Sequence, residues 1–90
     1  MKYTVQWSRR AVDALAQFWL DNTVQRTEIT QATATIDQLL QFNPDEQGES
    51  RDDGRRILFV PPLVVIFRVN TEHNMVRVLD VGQLKRRGTG

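Results

Sequence analysis

The sequence predicts an α+β fold in which an N-terminal strand, two helices and a three-stranded antiparallel meander form a four-stranded sheet. The chain has 90 residues, enough for one domain, residues 1–90, that buries about 60% of the surface its unfolded form exposes. Two segments with apolar residues at helical spacing follow the first strand. Two turns then divide a long apolar stretch into three strands.

The N-terminal strand is predicted from Lys2 to Trp7, because Tyr3, Val5 and Trp7 alternate with polar residues. Ser8 stands at the N-cap position of a first helix, Arg9 to Asp21. The apolar stripe that indicates this helix, and that we expect to face the core, consists of Val12, Leu15, Ala16 and Trp19.

A second helix is predicted from Thr27 to Gln41, where the threonines weaken intrinsic propensity and packing must supply most of the stability. Residues 42–54 contain few apolar side chains and several turn formers, so we predict a surface loop. The stripe of the second helix consists of Ile29, Ala32, Ile36, Leu39 and Leu40.

Three strands are predicted in the C-terminal half: Arg56 to Val60, Leu63 to Asn70, and Met75 to Gly82. Pro61 and Pro62 separate the first two, because proline cannot donate to a strand ladder. Residues 71–74 form a hairpin loop. In the middle strand, alternation puts Leu63, Val65, Phe67 and Val69 under the helices and Val64, Ile66, Arg68 and Asn70 on the opposite face. The last strand is apolar in both registers, so the face of Arg77 stays open.

Charge is divided unevenly along the chain. Residues 1–54 carry five basic and nine acidic side chains, a net −4, whereas residues 55–90 carry seven basic and two acidic ones, a net +5. This division indicates a basic face that meets phosphate or an acidic partner, or else a solvated strand edge with a solubilising tail at residues 83–90. The candidate binding residues are Arg55, Arg56, Arg68, Arg77, Lys85, Arg86 and Arg87.

Several classes of function are disfavoured by composition. With no cysteine and only His73 as imidazole, a metal site is not expected, and nothing in the pattern indicates a cofactor. No apolar run is long enough to cross a bilayer, and the N-terminus lacks the apolar block of a signal peptide. We therefore expect a cytoplasmic protein without membrane contact.

The order of elements and several fragments resemble the RelE/ParE superfamily of bacterial type II toxins. The resemblance covers nearly the whole chain, and it rests on residues 3–8, Asn43 with Pro44, and residues 54–58, 65–69 and 76–82. It implies a toxin-like component of a toxin–antitoxin system that binds a small acidic antitoxin. The implied target is ribosome-bound mRNA or DNA gyrase, and the alternative is a non-toxic member that acts only as a protein- or nucleic-acid-binding module.

The RNA-cleaving toxins of that superfamily orient a ribose 2′-OH toward the adjacent phosphate and stabilise the developing charge with basic groups. This chain departs from them. Leu63 and Val64 stand where those toxins have a Tyr-Arg pair. Gln83 and Leu84 follow Gly82, where a basic pair and then a tyrosine are usual. The remaining catalytic candidates are Arg68 and Lys85, and His73 is expected to be an exposed turn residue.

Overall fold

The computed structural model describes residues 2–84, in which two helices pack on one face of a five-stranded sheet. The strands are β1 (Thr4–Trp7), β2 (Glu49–Ser50), β3 (Arg56–Val60), β4 (Leu63–Asn70) and β5 (Met75–Gln83). The helices are α1 (Arg9–Asp21) and α2 (Arg26–Gln41), and a 3-10 turn spans Pro44–Glu46.

The sheet has the strand order β1-β5-β4-β3-β2, with β1 parallel to β5 and all other neighbours antiparallel. The predicted meander is therefore confirmed, with its turns at Pro61–Pro62 and at residues 71–74. The predicted four-stranded sheet is wrong in one respect, because Glu49–Ser50 in the predicted surface loop forms a fifth strand against β3. Two polar residues carry no strand pattern, and only their pairing with Arg56 and Ile57 makes them a strand.

Local signals define the start of α1. The Ser8 hydroxyl accepts a hydrogen bond from the backbone N–H of Ala11 at 3.1 Å, which confirms the predicted N-cap. The same hydroxyl donates to the carbonyl oxygen of Leu79 in β5 at 2.9 Å. One side chain thus caps the helix and joins it to the sheet.

The core lies between the helices and one face of the sheet, and we call this face of the sheet the inner face. Leu63, Val65 and Phe67 of β4 are fully buried there, as predicted from strand parity. From α2 the buried residues are Ile29, Ala32, Ile36 and Leu40, which confirms the predicted stripe of this helix except for Leu39, which is only partly buried.

The predicted stripe of α1 needs a correction. Ala11 is fully buried, and Ala14, Leu15 and Phe18 pack against the core. Val12 and Trp19 instead remain 50% and 40% exposed. The core-facing side of α1 is therefore rotated by about one residue from the expected stripe, because the helix carries apolar residues over a wider arc than one contact face needs.

Candidate functional site

The sheet face that points away from the helices is the candidate functional surface, and we call it the outer face. In β4 it presents Val64, Ile66, Arg68 and Asn70, as strand parity predicted. In β3 the register partners of Val64 and Ile66 are Phe59 and Ile57, and Phe59 is 53% exposed. The outer face is therefore apolar toward the Pro61–Pro62 turn and basic toward the opposite end of β4.

An irregularity in β5 decides the face of Arg77. The pairing of β4 with β5 shifts register between Ile66 and Phe67, so that Phe67 pairs with Val78 and Ile66 with Asp80. Leu79 is the extra residue of this β-bulge. The extra residue shifts the alternation of inner and outer side chains by one position. Val76 and Val78 before the bulge and Val81 after it are therefore all buried. Arg77 is exposed on the outer face, directly opposite Arg68.

The structure separates the other predicted binding residues from this pair. Arg55 is exposed and forms a salt bridge with Asp53 at 3.2 Å. Arg56 lies in register with Phe67, and its guanidinium donates to the carbonyl oxygens of Gln47 at 2.8 Å and Gly48 at 3.2 Å. Arg56 therefore holds its own loop in place. Lys85, Arg86 and Arg87 lie outside the described residues.

The end of β5 is held far from Arg68. Gln83, which we had assigned to the tail, is the last residue of β5 and pairs with Leu63. Its side-chain amide donates to Gln25 at 3.1 Å and accepts from Asn22 at 3.2 Å. Leu84 N–H donates to the Pro62 carbonyl at 2.7 Å. Leu63 and Arg68 are five residues apart in β4, roughly 17 Å at 3.3 Å per residue.

The positions at which the resemblance places catalysis carry structural or apolar side chains. Val64 is half-buried and lies across from Gly82, where a Cβ would come to 3.0 Å from the Val64 Cγ1. Among residues 2–84, the strand positions of the outer face include no tyrosine, histidine or lysine. His73 is exposed in the β4–β5 turn, as predicted. Tyr3 packs against the core.

A second exposed apolar surface lies between the helices. Its lining is almost entirely apolar, and it forms a groove of about 740 Å³. Sequence reasoning missed this groove, although the wide apolar arc of α1 was its signal. The side chains that border it and stay well exposed are Val12, Trp19 and Leu20.

Metal and membrane sites have no counterpart in the part of the chain that the structure describes. No three acidic or histidine side chains within residues 2–84 come together as a metal site would require. Neither α1 nor α2 has the length and apolar character of a membrane-crossing helix.

This chain, with two helices over the inner face of a sheet of order β1-β5-β4-β3-β2, has the fold of solved structures from RelE and ParE toxin–antitoxin systems. The structures that share it include the RelBE2 toxin–antitoxin complex from Mycobacterium tuberculosis, with a TM-score of 0.75 and 19% identity over 92% of each chain. The isolated Escherichia coli RelE toxin superposes with a TM-score of 0.68 and 17% identity, over 96% of this chain and 88% of RelE.

A chromosomal ParDE system from Pseudomonas aeruginosa matches with a TM-score of 0.67 and 18% identity, over 93% of this chain and 98% of the other. No protein-family model and no curated protein sequence matches. The resemblance that the sequence suggested is therefore confirmed at the level of the fold.

Proposed function

We propose that this chain is the toxin-type component of a type II toxin–antitoxin pair and that a small acidic antitoxin binds it. The observation that carries the proposal is the shared fold. At least 92% of this chain superposes on toxin chains from the RelBE2 and ParDE systems. In those proteins the toxin is named together with an antitoxin, and we extend that pairing to this chain.

The groove between α1 and α2 supports a protein partner. Leu20 is 60% exposed and Val12 is 50% exposed, and both border the groove with Trp19. Contiguous exposed apolar surface on a small domain is typical of protein-binding sites. An amphipathic segment of the antitoxin would bury these side chains at a gain of about 25 cal/mol for each Å² of apolar area removed from water.

The outer face favours action by binding over RNA cleavage. General acid–base catalysis needs a titratable side chain within hydrogen-bond reach of the reacting oxygen. Val64, Gln83 and Leu84 supply none at the positions where the resemblance places that chemistry. We therefore propose that the toxin activity consists of binding a target, with DNA gyrase as the first candidate and ribosome-bound mRNA as the second.

The test is controlled expression in bacteria, with and without the product of the neighbouring small gene. Growth, mRNA integrity and plasmid supercoiling are followed together. We expect growth arrest without codon-specific mRNA cleavage, relieved by the neighbouring product, which should copurify with this chain. Cleavage within translated codons would show that the chain acts by catalysis and would contradict our proposal that it acts by binding. Normal growth would indicate a binding module that is not toxic.

A further inference from the structure

Two arginines on the outer face differ from all others in residues 2–84. Six of the eight arginines in this part of the chain are engaged with a neighbouring group, and Arg68 and Arg77 form no salt bridge, hydrogen bond or ring contact within it. The engaged six are Arg9 with Asp13, Arg10 with Asp80, Arg51 with Glu49 and Arg55 with Asp53, Arg26 with Trp19, and Arg56 with the carbonyls of Gln47 and Gly48.

The two unengaged arginines are also cross-strand neighbours. Arg68 and Arg77 are register partners in the antiparallel β4–β5 pair. Side chains in such a position have Cβ atoms about 5 Å apart, and like charges placed there destabilise the sheet. Fold stability gives no reason for this pairing. An oxyanion placed between the two guanidinium groups would make the net electrostatic interaction attractive.

The surroundings of the pair are suited to a ligand. Arg68 and Arg77 line an open depression of about 470 Å³ together with Asn70, Met75 and Glu72. On the other side of Arg77, Gln6 of β1 is its register partner and is exposed. The site therefore offers two guanidinium groups, neutral amide groups, one apolar side chain and, from Glu72, one carboxylate.

The same face continues as an apolar strip from the pair toward the Pro61–Pro62 turn. Ile66 and Val64 follow Arg68 at two-residue steps on β4. Ile57 and Phe59 lie beside them on β3. From Arg68 to Val64 is four residues, roughly 13 Å along the strand. An extended peptide has the same two-residue alternation. Its alternate side chains can therefore contact the arginine pair and then successive apolar residues of the strip.

We propose that Arg68 and Arg77 bind a carboxylate of an extended acidic segment whose apolar side chains, two and four residues further on, cover Ile66, Val64 and Phe59. The partner's identity as an antitoxin rests on the proposed function, but the chemistry of the site does not. This site lies at the opposite end of β4 from Val64 and Gln83, where the resemblance places the chemistry of the RNA-cleaving toxins.

Charge favours a peptide over a nucleic acid at this surface. The whole chain carries a formal net charge of only +1, so it lacks the strongly cationic field that holds a polyphosphate. Glu72 also lines the depression, and its carboxylate opposes a chain of many phosphates more strongly than a single carboxylate held between two guanidinium groups. The outer-face aromatic, Phe59, is two strands away from Arg77, too far to stack a base whose phosphate lies on the pair.

Nuclear magnetic resonance titration of the ¹⁵N-labelled full chain tests the proposal. The probe is a capped, serine-flanked peptide in which one glutamate is followed by leucine two and four residues later. We expect the backbone and guanidinium resonances of Arg68 and Arg77 to shift, and those of Ile66 and Val64 with them. The same peptide with glutamine in place of glutamate should bind at least tenfold more weakly.

Two double variants that each remove two arginine charges distinguish binding at this site from general electrostatic attraction. The double variant Arg68→Gln/Arg77→Gln should weaken peptide binding at least tenfold. Arg9→Gln/Arg51→Gln, which removes two exposed charges elsewhere, should change binding less than twofold. No shift of the arginine pair up to the solubility limit of the peptide would overturn the proposal, and so would equal losses in both double variants.

A hexauridylate RNA titrated in parallel distinguishes the other class of ligand. Stronger binding of that RNA than of the peptide at Arg68 and Arg77 would overturn the acidic segment in favour of a nucleic acid. The outcome is independent of toxicity. Growth arrest with no peptide binding overturns this site alone, and peptide binding with no growth arrest overturns the toxin function alone.

Discussion

Gly48 lets the loop before β2 pack closely against β3. Its φ is +67°, in the left-handed region, and a Cβ at this position would overlap the carbonyl oxygen of Ile57. Its own carbonyl accepts from the Arg56 guanidinium at 3.2 Å. Glycine is therefore required here for its backbone conformation and for its close contact with β3.

Gly54 supplies a matched control for this contact, since its φ is +81° and no atom lies within 4 Å of an added Cβ. Gly54→Ala should cost roughly 1–2 kcal/mol, the cost of the left-handed conformation alone. Gly48→Ala should cost about 1–3 kcal/mol more, because overlap with β3 must be relieved. Urea denaturation of both variants measures the difference. Equal losses would show that β3 yields without cost.

Residue-level patterns predicted part of the candidate site. The face of Arg68 followed from strand alternation, because β4 is regular throughout. The face of Arg77 did not, because the bulge at Leu79 is a feature of pairing that no local pattern in the sequence marks. Arg56 was expected to bind a partner, and its hydrogen bonds to Gln47 and Gly48 arise only when the loop folds back on β3.

At the level of elements, α1 carries two apolar stripes with separate roles. Ala11 and Phe18 belong to the stripe that packs on the core. Val12, Trp19 and Leu20 border the groove between α1 and α2. Burial on folding explains the first stripe, and the proposed antitoxin would explain the second.

Leu20→Glu tests the groove, with Val24→Glu as its control. Leu20 is 60% exposed at the groove and Val24 is 90% exposed in the loop that joins the helices. Both changes should alter the free energy of unfolding by less than about 0.5 kcal/mol, as is usual for exposed positions. Leu20→Glu should weaken copurification of the antitoxin at least tenfold, because a charge would be buried at the interface, and Val24→Glu should leave it unchanged. Similar losses in both variants would place the partner elsewhere.

The elements that the sequence predicted are the ones that local chemistry determines. The N-cap at Ser8, the spacing of apolar residues in α2 and the Pro61–Pro62 turn each depend on residues close in sequence. The parallel pairing of β1 with β5 depends on a partner about 70 residues away, and the strand β2 depends on its pairing with β3 and has no apolar alternation of its own. Periodicity indicates which side of an element is apolar, but it does not predict which strand pairs with that element.

At the scale of the whole molecule, the inner face of the sheet forms the core and the outer face is the candidate binding surface. One phenylalanine on each face allows their contributions to stability to be compared. Phe67 is fully buried on the inner face, and Phe59 is 53% exposed on the outer face. Phe67→Ala should cost about 3–5 kcal/mol through lost burial and the cavity left behind. That is a large share of the roughly 5–13 kcal/mol expected for a domain of this size.

Phe59→Ala should cost less than about 1 kcal/mol, because half of its surface is in water already in the folded state. The comparison is read from urea denaturation of the two variants. It should be accompanied by weaker binding of the acidic peptide in Phe59→Ala alone. A large loss of stability in Phe59→Ala would mean that the outer face contributes to the core.

The parallel pairing of β1 with β5 also has a consequence for the order of events during synthesis. Thr4 to Trp7 pair with Met75 to Val78, so β1 cannot enter the sheet until β5 has been synthesised. Until then the Ser8 hydroxyl has no Leu79 carbonyl to donate to. The nascent chain therefore cannot form the cross-strand arginine pair before β5 has left the ribosome. A partner that recognises this pair can bind only after that point.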